Sequence, residues 1–514
     1  MQAKGFVRTI EIDKPSLLNN TADAGRLEQS LKKELCTNKI FIPLNILKKL
    51  PSNLRSWNFQ VRAVLFKTRS SWIVLELLDP ALAEPVLGAA IDIGSTRIVI
   101  SLIDLETGQE IGETDFDNPQ ASIGPDILTR IHYSNQDEGL AELNTLVIDA
   151  VNLNISKLCK ENGFKNRDIY IVTGAGNTAM THLFLGIESF EIIKEPYIPC
   201  VNIPDTLAAS SLNLDINNNG VAFLFPNIGS YFGGDLIAGI LFSNLDQKQE
   251  TCLMVDVGTN AEIVVGSQDF LIACAGAAGP ALEGGVSKMG MTAKPGVIDR
   301  VWIDPDTNDL KIHTIDEKPP IGICGSGMID LAASLFLSKR IDIRGKFSRE
   351  ICQEQLFEKN GITSFILVKE DQSGSGEPIC LSQVDLNSLT SSKAAMFTIL
   401  QVIVENTAGL SFKDLHKFYV AGTFGSFINP VSAISIGMLP DIPVTTFEVI
   451  GNSSLGGAKV LLNDPDAFER IIQIRKSITY IELNVNQEFM NMFSGAKFYP
   501  HTDVSRFPSL QNKN

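Results

Sequence analysis

The sequence predicts an α/β protein built on a duplicated unit, and three observations carry that prediction. Ala89 to Ile93 is an apolar strand, broken by Gly94-Ser95-Thr96 and followed by a second strand with Ile98, Val99, Ile100, Leu102 and Ile103. The arrangement recurs later: Leu253 to Val257 is a strand, Gly258-Thr259-Asn260 breaks it, and Ile263 to Val265 continues. Each copy then turns into a third strand, at Thr107-Gly108 before Ile111 and at Ser267-Gln268-Asp269 before Phe270 to Ala273. Two copies of strand, Asp-x-Gly-Ser/Thr, strand, turn, strand point to two related halves.

Other elements surround these copies. Phe6 to Ile12 reads as a strand ending at Lys14-Pro15, and Leu27, Leu31 and Leu35 mark a helix. Alternation returns over Phe59 to Leu78, with Val61, Ala63 and Leu65, then Trp72 and Val74. These residues predict a linker-like segment over 1–20 and a small α/β module over 21–85, joined through Asp79-Pro80 and Glu84-Pro85 to the first half. That half is expected over 86–248, and the second half, with C-terminal return elements, over 249–514. Helix-like spacing appears over Thr145 to Cys159 and Ser392 to Asn406, the latter with Ser391-Ser392 as a cap region. Near the end, Tyr419-Val420-Ala421-Gly422 and Val449-Ile450-Gly451-Asn452 are strands entering glycine turns, the second leading into a small-residue helix start.

Composition narrows the function class. Of the 514 residues 44% are hydrophobic and 20% charged, which supports large cores and argues against disorder. The formal net charge of −16 argues against a nucleic-acid partner or an anionic membrane surface. No apolar run is long enough to span a bilayer and the start lacks a signal-peptide core, so a cytoplasmic protein is expected. Eight cysteines stand singly, without Cys-x-x-Cys spacing, and read as buried reduced thiols, with no iron–sulfur cluster legible in the chain.

The hairpins carry the chemistry. A strand ending in Asp with a following glycine and hydroxyl residue suits a nucleotide phosphate for three reasons. The glycine removes the Cβ that would keep backbone and phosphate apart. Backbone N–H groups around the turn form an anion-binding concavity, and the hydroxyl adds a donor. The carboxylate would repel phosphate, so it fits Mg²⁺ or its waters. One such hairpin is weak evidence, because Asp-Gly turns are common in β structure. Two in a duplicated setting, with glycine turns at Gly422 and Gly451, are stronger.

With these motifs in view, the chain resembles the actin, sugar-kinase and seventy-kilodalton-chaperone superfamily, and more closely the ATP-dependent reductive activators of corrinoid proteins. The matching stretches are AIDIGSTRIVI, DNPQASIGPDILTRI, GAGNTAMTHLFLGI, GGDLIAGI, LMVDVGTNAEIVVG, AGAAGPALEGG, GICGSGMIDLAA, AGTFGSFINP and IGMLP with VIGNSSLGGA, running from about Ala89 to Pro500. The resemblance implies duplicated ribonuclease-H-like (actin-like ATPase) halves with a cleft. It also implies return of cob(II)alamin, carried by a partner corrinoid protein in a methyltransferase system, to cob(I)alamin. ATP and Mg would be the cofactors and a homodimer the assembly. Reduction from ordinary donors is uphill, so ATP turnover would shift affinity between the Co(II) and Co(I) forms of the partner.

The resemblance also assigns residues. Asp92, Gly94, Ser95 and Thr96 would form the first phosphate loop, and Asp256, Gly258, Thr259 and Asn260 the second. Asp92 and Asp256 would meet Mg through water. Gly422, Thr423, Phe424 and Gly425 would lie on the adenosine side, with Gly325, Ser326 and Gly327 completing the cleft. Arg97 stands where relatives carry a hydroxyl, either neutralising phosphate or pointing to solvent, and Thr423 stands where they carry glycine. Asp235 either orients an attacking water or a metal-bound one, or caps a helix. His182 either approaches the corrinoid or holds a turn. Glu283 either touches Mg²⁺ or caps the next helix.

The start departs from the family. VRTIEIDKPSLLNNTADAGRLEQSL resembles the linker that comes after a ferredoxin domain in relatives, and no cluster cysteines flank it. Either an electron-carrying domain lies outside this sequence, or the protein works without one, taking electrons from a separate low-potential donor or acting on its partner without carrying them. The separate donor is the expectation. Three rival readings remain on the residues alone. They are a small-molecule kinase using Asp235 as base, an activase whose two subunits share an iron–sulfur cluster, and a nucleotide-switched scaffold that binds a corrinoid protein.

Overall fold

The computed structural model describes residues 5–258, 261–276, 289–304, 306–422, 428–483 and 487–511. The chain divides into two compact units, residues 1–244 with 453–477 and residues 245–452 with 478–514.

The first unit opens with a four-stranded sheet, β1 (Val7–Glu11), β2 (Ile40–Phe41), β3 (Gln60–Lys67) and β4 (Trp72–Leu78), in the order β1-β3-β4-β2. Two helices, Asp23–Glu34 and Leu44–Ser56, bury Leu27 and Leu31, and Ile46, Leu50 and Leu54. That i, i+4 spacing gives each helix one apolar stripe. Because β1 pairs antiparallel with β3, the expected boundary between a linker over 1–20 and a module from 21 is crossed by one sheet.

The main sheet of this unit contains β5 (Leu87–Ile93), β6 (Arg97–Asp104), β7 (Glu110–Asp117), β8 (Ile169–Ala175), β9 (Leu207–Ala208) and β10 (Val221–Leu224), in the order β7-β6-β5-β8-β10-β9. β5, β6 and β7 form an antiparallel meander, and β8 joins β5 in parallel with Asp92 opposite Ala175. The crossover to β8 includes the helix Gly139–Glu161, longer than the Thr145 to Cys159 pattern, which packs Leu143, Val147, Val151 and Ile155 into the core.

Two late helices, Ser453–Asn463 and Ala467–Ser477, complete the unit, although the expected second half ran unbroken over 249–514. The glycines of Ser453-Ser454-Leu455-Gly456-Gly457 explain the close seat on the helix Gly234–Ser243. A Cβ on Gly457 would lie 2.2 Å from the Ala238 carbonyl oxygen. Lys459 pairs with Glu110 and Glu113, each at 2.8 Å, and Lys67 with Asp466 and Glu469, each at 3.1 Å.

The second unit repeats the plan. Its strands are β11 (Cys252–Val257), β12 (Ala261–Gly266), β13 (Leu271–Gly276), β14 (Val297–Ile303), β15 (Leu310–Thr314), β16 (Gly322–Ile323), β17 (Leu356–Lys359), β18 (Ile362–Val368), β19 (Ile379–Ser382), β20 (Lys417–Ala421), β21 (Phe447–Gly451) and β22 (Ile478–Ile481). The main sheet runs β21-β20-β11-β12-β13-β22. The meander β11-β12-β13 with β20 parallel to β11 matches β5-β6-β7 with β8 parallel to β5. Two three-stranded sheets, β15-β14-β16 and β17-β18-β19, lie between β13 and β20 in the chain. The helix expected from Ser392 begins earlier, at Gln383. Ser382 caps it, its Oγ accepting the Asp385 N–H at 3.1 Å while Asp385 Oδ2 accepts the Ser382 N–H at 3.0 Å. It runs to Gln401 and continues as a π-helical turn, Val402–Thr407.

Candidate functional site

The first hairpin turn, between β5 and β6, is closed so tightly that only glycine fits its first position. A Cβ on Gly94 would lie 2.1 Å from the Arg97 carbonyl oxygen. Asp92 and Ser95 are half-buried, and Thr96 is exposed. Two asparagines hold the turn. Asn118, 1% exposed, donates from Nδ2 to the Gly94 carbonyl at 2.9 Å, and its N–H donates to the Thr96 carbonyl at 2.8 Å. Asn118 Oδ1 accepts the Gln120 N–H at 3.0 Å. Behind it lies the fully buried Arg130, whose Nε donates to the Gly124 carbonyl at 2.8 Å.

The second asparagine is Asn177, which caps the helix Thr178–Leu185 by accepting the Met180 N–H at 2.9 Å. Its Nδ2 donates to Ser95 Oγ at 2.8 Å. Gly176 just before it must be small, since a Cβ there would sit 2.8 Å from the Ile93 carbonyl. The Gly176 carbonyl accepts the Gly234 N–H at 2.9 Å and the Asp235 N–H at 3.3 Å, which draws the next helix start alongside. A Cβ on Gly233 would meet Asn177 Cα at 2.4 Å and Asp235 Oδ1 at 2.6 Å. Ser95, Asn177 and Asp235 are thus gathered from three separate segments.

Asp235 does not cap its helix. Gly233 occupies the cap position, and Asp235 is the second residue of Gly234–Ser243, its Oδ1 accepting the Leu236 N–H at 2.9 Å. A carboxylate in the first turn complements the helix dipole. His182 is structural. It is fully buried, its Nδ1 lies 2.7 Å from the Thr178 carbonyl, and its Nε2 accepts the Val201 N–H at 3.3 Å. With Nδ1–H donating and Nε2 accepting, the ring is neutral, and burial lowers its pKa. Arg97 points to solvent and pairs with Asp115.

In the second unit, Asp256 is the half-buried next-to-last residue of β11, and Gly258 is exposed. Thr259, Asn260, Glu283, Thr423, Phe424 and Gly425 lie outside the described residues. Gly422 comes directly after β20 with φ +83°, and a Cβ there would lie 2.7 Å from Asp256 Oδ1. The glycine turn and the carboxylate are therefore neighbours, as parallel pairing of β11 with β20 requires.

Gly325, Ser326 and Gly327 open the helix Gly325–Leu337 after an extended Cys324. Ser326 Oγ donates to the Asp299 carbonyl at 3.1 Å, and a Cβ on Gly327 would lie 2.5 Å from the Ile298 carbonyl. Seating this helix on β14 gives these residues a structural reason of their own. Among the described residues no group of three or more His, Cys, Asp or Glu side chains is placed to hold a metal ion. No helix among them is long and apolar enough to cross a membrane.

Asn118 and Asn177 were not singled out by the sequence. The stretches that contain them, DNPQ and GAGN, carried a signal only as whole motifs, since an isolated asparagine most often serves a turn or a cap.

Family models match the chain in consecutive blocks: "RACo linker region" over residues 6–80, "RACo middle region" over 87–248 and "C-terminal domain of RACo the ASKHA domain" over 250–511. The corrinoid activation enzyme RamQ of Eubacterium limosum is 30% identical over 418 residues, covering 80% of this chain and 70% of that protein. The [Co(II) methylated amine-specific corrinoid protein] reductase of Methanosarcina barkeri is 27% identical over 292 residues, 52% of this chain and 49% of that one. A solved structure, described as a reductive activator for corrinoid,iron-sulfur protein, superposes with a TM-score of 0.85 at 36% identity, covering 99% of this chain and 81% of its own. Together with the repeated meander and its two glycine-turn hairpins, these matches show that the chain belongs to the RACo family and has its actin-like, ASKHA-type fold.

Proposed function

We propose that this chain is an ATP-dependent reductive activator of a corrinoid protein, returning inactive cob(II)alamin to cob(I)alamin in a methyltransferase system. The observation that carries the reading is the succession of three family blocks, over residues 6–80, 87–248 and 250–511, together with relatives named as a corrinoid activation enzyme and a corrinoid protein reductase. In this reading cob(II)alamin on the partner accepts one electron from a separate low-potential donor. ATP turnover by this chain changes its affinity for the Co(II) and Co(I) forms, favouring capture of the first and release of the second.

The chain's own residues divide the work. Gly94, Ser95 and Thr96, and Gly258 with Thr259 and Asn260, are the two phosphate loops. The closure at Gly94 fits the role, because the Arg97 carbonyl stands where a Cβ would project and only glycine lets the backbone turn so tightly there. Asp92 and Asp256, each half-buried and next to last in its strand, would hold Mg²⁺ through water, and the ion would supply charge neutralisation at the phosphates. Asp235 orients the attacking water, supported by its place beside Asn177. Gly422 to Gly425 and Gly325 to Gly327 serve the adenosine side. A homodimer working in the cytoplasm completes the proposal.

The test is ATP hydrolysis measured with and without a cobalt(II) corrinoid protein. Stimulation by the partner, and its loss in Asp256→Ala, are expected. Phosphorylation of an added sugar or acid, with no response to the corrinoid protein, would replace the proposal by a kinase.

A further inference from the structure

The orientation of one hydroxyl in the first turn is set by a residue from a distant segment. Asn177 Oδ1 faces the Met180 N–H at 2.9 Å, and a backbone N–H can only donate, so the amide oxygen is the atom on that side. The NH2 therefore faces Ser95 Oγ, at 2.8 Å. An amide NH2 donates and does not accept. Ser95 Oγ is consequently the acceptor in this contact, and its own proton is directed away from Asn177. Among the described residues Ser95 Oγ has no second hydrogen-bond partner.

The backbone of the turn is fixed separately, by the contact of Gly94 with Arg97 and by Asn118 on the Gly94 and Thr96 carbonyls. What stays free at Ser95 is rotation of its side chain and of its O–H bond. A hydroxyl that rotates freely presents lone pairs to an anion part of the time, and lone pairs repel phosphate. Held as an acceptor on one side, it presents its proton on the other.

We propose that Asn177 is a positioning residue that fixes the Ser95 hydroxyl as a donor toward a nucleotide phosphate. The inference rests on the reading of Gly94 to Thr96 as a phosphate loop. It makes the helix cap and the phosphate loop one device: the same amide caps Thr178–Leu185 with its oxygen and sets Ser95 with its nitrogen.

Two substitutions separate these duties. Serine caps a helix about as well as asparagine but is too short to carry an NH2 to Ser95. Asn177→Ser should therefore melt like the unaltered protein while weakening Mg·ATP binding. Asn177→Asp also keeps the cap, offers Ser95 an acceptor in place of a donor, and should weaken binding further. The decisive comparison is a double-mutant cycle with Ser95→Ala, read by titration calorimetry with Mg·ATP on the full chain. A hydrogen bond to a charged group is worth about 1.5–3 kcal/mol, so Ser95→Ala should weaken binding about ten- to hundredfold. Adding Asn177→Ser to Ser95→Ala should then weaken it no further. An equal effect of Asn177→Ser in both backgrounds, or none beside an intact Ser95, overturns the inference and leaves the ATP reading standing. Failure of the unaltered chain to bind Mg·ATP overturns both.

Discussion

Gly94→Ala tests the closure of the first hairpin most directly. The added methyl would fall 2.1 Å from the Arg97 carbonyl oxygen, inside any distance that real Cβ atoms tolerate. The obstructing atom is backbone at the start of β6, not the end of a flexible side chain, so the turn itself must open. Forcing extra atoms into a closed site costs about 1–3 kcal/mol. Opening the turn also strains the 2.9 Å bond from Asn118 Nδ2 to the Gly94 carbonyl, and Asn118 is buried, so a lost bond there leaves groups without water. Two measurements report the damage. Chemical denaturation should show a loss of about 1–3 kcal/mol, and calorimetric titration with Mg·ATP should show affinity lowered about tenfold or more, as donors move off the phosphate. A variant that keeps both stability and ATP affinity would refute the claim that this turn is a closed phosphate cradle.

Three further expectations come from other parts of the chain. Gly422→Ala and Gly451→Ala both place a side chain at positive φ, +83° and +68°, at a cost of roughly 1–2 kcal/mol each. Only Gly422 also confronts the Asp256 carboxylate, at 2.7 Å, whereas a Cβ on Gly451 meets nothing within 4 Å; ATP hydrolysis should fall further in Gly422→Ala. Burial lowers the pKa of His182, and it lowers that of His501 too, so both stay neutral in the folded chain at pH values where the unfolded chain takes up protons. Stability should therefore be complete above the unfolded value of about 6.5 and fall as the pH drops below it, by up to ~1.4 kcal/mol per pH unit for each ring. His182→Gln should reduce that slope in urea midpoints measured between pH 5 and 7, and an unchanged slope would contradict the buried neutral ring. Burial also pushes Lys393 well below its ordinary pKa, with Nζ donating to the Pro500 carbonyl at 2.8 Å and to the Phe498 carbonyl. Its contribution declines as the pH falls below the unfolded value of about 10.4, so the stability of the unaltered chain relative to Lys393→Met should rise from pH 7 to 9. A difference independent of pH would contradict a depressed lysine.

The sequence alone determined the duplicated α/β plan, because strand, glycine turn and strand are local patterns. The Asp-x-Gly hairpins at Asp92 and Asp256 were legible for that reason, and so was the small-residue helix start at Ser454 to Ala458. Tertiary structure decided whatever depends on distant partners. Asn118 and Asn177 gain their importance from Gly94 and Ser95, which lie far from them in the chain. The role of His182 was settled by the carbonyl and N–H that occupy its two nitrogens. Asp235 stands in the first turn and Gly233 at the cap, where a side chain would collide with the Asn177 backbone. Residues 453–477 joined the first unit because glycines let two helices approach closely enough for backbone to meet backbone, which no local signal announces. Local patterns fix which turns form; only packing fixes which remote amide aims a serine hydroxyl, since that needs two segments brought within hydrogen-bond distance.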